Sequence, residues 1–137
     1  MTASERTSYP IVGARHHPPA LALLSVLPTG TNLTLKPEPT NAFDPNAIQV
    51  LVPGPELKGL NSKAHTILEE DLPGYGLTVE ELLAKPEVML GYIARNFAET
   101  LAPTLEGKET SATLAYNSQG EPRATLNDEE GSDDAQG

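Results

Sequence analysis

The chain has 137 residues, enough for one domain with a single modest core. Thirteen prolines and eleven glycines point to a turn-rich fold, and the lack of cysteine excludes disulfides, thiolate metal sites and a cysteine nucleophile. A net charge of −10 is the opposite of the basic profile usual in nucleic-acid binders.

The polar start, Met1-Thr2-Ala3-Ser4-Glu5-Arg6, leads into no apolar signal-like run, and residues 1–8 are expected to be a flexible N-terminus. No window approaches the roughly 20 apolar residues of a membrane span, so a cytoplasmic location is expected. On that basis the sequon Asn32-Leu33-Thr34 is an accident of composition. A first strand is predicted over Tyr9–Arg15, broken by His16-His17-Pro18-Pro19. The apolar run Leu21–Leu27 fits either a strand or a buried helical turn, because periodicity does not separate the two over so short a stretch. Asn32–Lys36 alternates polar and apolar residues, as a half-buried strand does. Residues 37–46 hold three prolines and two asparagines and read as an ordered loop, followed by the strand Ala47–Val52.

Residues 53–88 begin Pro-Gly-Pro-Glu and read as an irregular acidic insertion containing one short helix, 78–85. Thr78 and Glu81 have the spacing of a capping box, and Pro86 stops that helix. Val88–Ile93 reads as a strand. A helix follows from Asn96, its expected N-cap, through Ala102, with Ile93, Phe97 and Leu101 four residues apart, and Pro103 is expected to end or kink it. Ser111–Tyr116, the turn Asn117–Gly120 and Pro122–Leu126 make a closing hairpin. Five to seven short strands with one or two small helices favour a mainly β, α+β fold built as a small β-barrel.

The acidity is unevenly spread. The final segment contributes −5 through Asp128, Glu129, Glu130, Asp133 and Asp134, and 127–137 is expected to be a disordered acidic tail. The insertion sets seven acids against three lysines, a net of −4. The remaining body is left at −1, so an anionic ligand is not excluded.

Catalytic motifs are missing. Gly107-Lys108-Glu109 lacks the rest of a phosphate loop, there is no Gly-x-Ser-x-Gly elbow, and adjacent His16 and His17 cannot face one metal from a strand. No cofactor is implied. The informative feature is loop 37–46, where Asn41, Asp44 and Asn46 are strong local hydrogen-bonders and Phe43 stands among them. Two readings remain open on the residues. The loop closes a hairpin with Phe43 folded onto the core, or it is a rigid rim presenting an aromatic face, an amide and a carboxylate. A nucleobase stacked on such an aromatic is worth roughly 1–3 kcal/mol.

The run Leu35-Lys36-Pro37-Glu38-Pro39-Thr40-Asn41-Ala42-Phe43-Asp44-Pro45-Asn46-Ala47-Ile48-Gln49-Val50 resembles the signature of the HIRAN domain. Ile11–Arg15 resembles that family's opening Val-Gly strand, and Leu90-Gly91-Tyr92-Ile93-Ala94-Arg95 its Gly-Tyr-Ile-Pro-Arg strand, in the same order. The likeness covers 9–126 and is interrupted by 53–88. It implies an OB-like barrel that binds the 3′ end of single-stranded DNA through its free 3′-hydroxyl.

Carried across, it implies a phosphate contact for Arg15 and a stacking contact for His16. Asn41 and Phe43 would hold the terminal nucleotide, and Asp44 would accept the 3′-hydroxyl. Arg95 would meet a phosphate, and Tyr116 would be a further stacking aromatic. The sequence departs from the pattern at His16, where a larger aromatic is usual, at Phe43 for tyrosine, at Ala94 for proline, and at Pro37 for the arginine of some members. The expected function is therefore a stand-alone, non-catalytic module of bacterial or phage type that captures 3′ ends in DNA repair, replication or recombination. Two alternatives remain: a protein-interaction or structural module on the same fold, and a subunit guiding a separately encoded helicase or nuclease.

Overall fold

A computed structural model describes residues 8–126. Six strands form: Ser8–Val12 (β1), Asn32–Pro37 (β2), Ile48–Pro53 (β3), Glu87–Ile93 (β4), Thr110–Tyr116 (β5) and Pro122–Leu126 (β6). Period-two patterning sends Leu33 and Leu35, then Ile48, Val50 and Val52, then Ala112 and Leu114 into one buried core. All neighbouring strands are antiparallel, in the order β1-β4-β3-β2-β5-β6, and β6 pairs back to β1 to close the barrel. Closure removes the exposed edges that a short-stranded open sheet would carry. The architecture is a small OB-like α+β barrel.

One irregularity matters for the surface. Val50 pairs with Gly91 but Leu51 pairs with Met89, so Leu90 is an extra residue on β4. Strict alternation from Val88 and Leu90 would send Tyr92 into the core. The bulge instead leaves Leu90, Gly91 and Ile93 buried and turns Tyr92 to the half-exposed face. Gly91 has φ +152°, and a Cβ there would lie 2.3 Å from the Val12 carbonyl oxygen. Only glycine lets β1 approach β4 this closely.

The predicted first strand ends early. Gly13 takes a left-handed conformation (φ 86°), and Ala14–His16 forms a 3-10 turn. The ambiguous apolar run becomes a helix, Pro18–Leu24 (α1), which buries Ala20, Ala22 and Leu23.

The insertion is more ordered than its composition suggests. It holds Gly54–Lys58 (α2), Ser62–Asp71 (α3), a 3-10 turn at Leu72–Tyr75 and Val79–Leu83 (α4). Start signals are present: Pro55 in the first turn of α2, Asn61 accepting the Ala64 N–H at 2.9 Å, and both hydrogen bonds of the Thr78–Glu81 capping box. Helices this short are marginal alone. Leu57, Leu68, Leu72 and Leu82, all fully buried in a hydrophobic cluster continuous with the barrel core, hold them in place at about 1.5–3 kcal/mol each.

The last helix, Arg95–Leu105 (α5), starts before the expected cap at Asn96. The Ala94 carbonyl accepts the N–H groups of Phe97 and Ala98, both at 2.9 Å, so Ala94 is the boundary. Pro103 lies inside the helix rather than ending it, at the expense of one backbone donor. Closure comes at Glu106 and Gly107, both in the left-handed region. Of the expected flexible N-terminus, Ser8 is the first residue of β1. Residues 1–7 and the acidic tail 127–137 lie outside the described residues.

Candidate functional site

Between β2 and β3 the chain folds on its own polar groups. The backbone closes through Glu38 N–H to the Ala47 carbonyl (2.8 Å), Asn41 N–H to Glu38 (2.9 Å) and Ala47 N–H to Asp44 (3.0 Å). Side chains then fill the remaining acceptor roles. Asn41 Oδ1 accepts the N–H groups of Phe43 (2.8 Å) and Asp44 (2.9 Å), and Asp44 Oδ1 accepts that of Asn46 (2.9 Å). These bonds, not burial, fix Phe43, which is 94% exposed at the loop's apex. Phe43 does not fold back onto the core.

Beside this loop lies an open cleft of about 330 Å³. The loop supplies Asn41, Phe43 and Asp44, β1 supplies Val12, β4 supplies Tyr92, and the first residue of α5 supplies Arg95. Arg95 Nε lies 3.9 Å from Asp44 Oδ2 and 4.0 Å from Glu99 Oε2. With Arg95 three-quarters exposed, these pairs add little to stability, and the guanidinium keeps donors for an incoming anion. Asp44 divides its work: one carboxylate oxygen braces the loop and the other faces the cleft's cation.

Four of the expected residues, Asn41, Phe43, Asp44 and Arg95, thus meet in one cleft. Arg15 and His16 do not line it. Both are exposed on the 3-10 turn that follows Val12, and the next residue, His17, has its ring 6.4 Å from that of Tyr92. Tyr116 does not line the cleft. Its hydroxyl donates to the carbonyls of Leu27 (2.8 Å) and Leu24 (3.2 Å), and its ring packs on the core, which ties the end of α1 to β5. Burial pushes its phenol above the ordinary value.

Three contributors escape a reading of residue types. Val12 is nearly half exposed and forms one wall. Tyr92 reaches the surface only because of the β4 bulge. Glu38, inside the sequence signature, accepts from Asn41 Nδ2 (3.0 Å), Tyr92 hydroxyl (3.2 Å) and Gln49 Nε2. Burial, then the Glu38 charge and its hydrogen bond, push the Tyr92 phenol above its ordinary range, so it remains a donor. No residue of 53–88 lines the cleft. Among the described residues, no three His, Cys, Asp or Glu side chains gather as metal ligands. Nor is any described helix long and apolar enough to cross a membrane.

The closed barrel and its open cleft, rimmed by an aromatic ring, a carboxylate and a guanidinium, define a small OB-like barrel with a polar–aromatic surface site. The chain belongs to the HIRAN domain family, whose model matches residues 4–129. HIRAN domains are DNA-binding modules that are not catalytic by themselves, which supports a nucleic-acid-binding role here. Among solved structures, a protein from Lactobacillus plantarum superposes with a TM-score of 0.52 and 21% identity, covering 87% of each chain. That likeness is one of fold. No curated protein matches the chain.

Proposed function

We propose that this domain captures the 3′ end of single-stranded DNA without reacting with it. The observation that carries the reading is the near-complete exposure of Phe43 beside a cleft that also holds Asp44 and Arg95. An exposed phenylalanine braced by hydrogen bonds offers a flat face on which a terminal base stacks at little ordering cost. Arg95 neutralises a backbone phosphate at the cleft, and Arg15 and His16, exposed on the turn after β1, supply a further phosphate contact and a second stacking surface to the strand beyond it. Asp44 accepts the sugar's 3′-hydroxyl, a charge-assisted bond worth about 1.5–3 kcal/mol. The same carboxylate repels a 3′-phosphate. Asn41 holds Phe43 and Asp44 in register for both contacts.

The test uses short labelled oligonucleotides ending in a 3′-hydroxyl, a 3′-phosphate or only an accessible 5′ end. The 3′-hydroxyl substrate should bind tightest. Equal affinity for hydroxyl and phosphate ends would remove the role given to Asp44. A domain that captures ends but performs no chemistry suits the delivery of a separately encoded helicase or nuclease. Co-purification from the native cell or phage particle tests that extension. Absence of DNA binding at low salt, with a protein partner co-purifying, would favour the protein-interaction reading.

A further inference from the structure

Glu38 sits at the base of the rim, half-buried, and its carboxylate receives three side-chain donors from three parts of the fold. Asn41 comes from the loop, Gln49 from β3 and Tyr92 from the re-aimed face of β4. A carboxylate is an acceptor-only group, and three donors occupy most of its capacity. Asn41 is orientated by this contact. With Nδ2 held by Glu38, its Oδ1 is turned to the N–H groups of Phe43 and Asp44. A continuous chain of hydrogen bonds therefore runs from the barrel wall through Glu38 and Asn41 to the two residues that present the aromatic face and the carboxylate.

We propose that Glu38 is the positioning residue of this site: by gathering Asn41, Tyr92 and Gln49 it locks Phe43 and Asp44 in the pose that receives a DNA end. The role in DNA binding rests on the end-capture reading; the locking of the rim does not. Glu38 does not line the cleft, so it acts through Asn41 and Tyr92 rather than on the nucleotide. Without it, the Asn41 amide is free to rotate, and the backbone N–H groups of Phe43 and Asp44 lose their acceptor to solvent.

The decisive measurement is amide hydrogen exchange in the ligand-free 137-residue chain. In Glu38→Ala, exchange at Phe43 and Asp44 should rise about tenfold or more, while Val50 and Leu90 in the barrel keep their protection. Unchanged exchange at Phe43 and Asp44 overturns the proposal. If Glu38→Ala loosens the whole barrel, Glu38→Gln replaces it. That variant keeps the shape but turns an amide donor towards one of the three donors, and exchange should again rise at the rim alone. A uniform rise, or none, counts against the proposal.

Oligonucleotide binding supplies the second readout. Glu38→Ala should bring the ratio of 3′-hydroxyl to 3′-phosphate affinity towards one, and Glu38→Gln should recover part of it. A merely structural role would weaken both substrates together and leave the ratio at its wild-type value, which would also refute the positioning role. A wild-type ratio of one would sink end capture itself, and the exchange data would then decide whether Glu38 locks the rim.

Discussion

Phe43 and Tyr116 are both aromatic residues of the expected site, and the structure treats them oppositely. Phe43 has no core to lose, so Phe43→Ala should leave the melting temperature unchanged while weakening oligonucleotide binding by about 1–3 kcal/mol. Tyr116 has its hydroxyl on two carbonyls of the α1 end, so Tyr116→Phe should destabilise the fold by about 0.5–1.5 kcal/mol. Oligonucleotide affinity should not change in that variant.

The raised phenol pKa of Tyr116 has a pH consequence. Its contribution is complete below the ordinary value of 10.0 and is lost as pH rises from there through the raised, folded-state value. Denaturant midpoints measured across that alkaline range should fall more steeply in the wild type than in Tyr116→Phe. Asn41, Asp44 and Asn46 were legible from residue types as an ordered polar loop, because asparagine and aspartate at that spacing brace a loop locally, but residue types left open whether Phe43 faced the core or the solvent. Glu38 was not, because its role depends on Gln49 and Tyr92, which reach it from separate strands.

Among the elements, β4 decides the most. Its bulge turns Tyr92 outwards, and its Gly91 admits the Val12 carbonyl of β1. Gly91→Ala must push two backbones apart in a conformation alanine rarely adopts. A loss on the order of 3–5 kcal/mol is expected, read as a collapse of the denaturant midpoint. The capping box of α4 is a milder case. Thr78→Ala removes one side-chain acceptor and should cost about 1 kcal/mol, with DNA affinity intact because α4 lies away from the cleft. That box was visible from a threonine and a glutamate three residues apart. The helices α2 and α3 were not, because prolines and glycines at 53–59 mask start signals that only burial of Leu57 and Leu68 makes effective.

For the whole molecule, charge sets the character of binding. A body near −1 with an insertion of −4 and a final segment of −5 disfavours tight electrostatic attachment. Capture of an end with about two phosphates contacted predicts a shallow salt dependence, a slope of roughly −1.5 in log affinity against log salt. A slope several times steeper would point to a wider phosphate track. A chain ending at Leu126 should bind single strands more tightly at low salt and equally at high salt, where a Debye length of about 3 Å at 1 M screens the removed charge.

Period-two alternation, turn residues and the spacing of Asn41, Phe43 and Asp44 already determine a small β-rich barrel with one ordered polar loop, because each is a local preference written into neighbouring residues. The joining of that loop to Arg95, Val12 and Tyr92 is a property of tertiary structure. It depends on barrel closure, on an extra residue in β4 and on a glycine that lets two strands meet. Those are contacts between distant parts of the chain, and no local pattern encodes them.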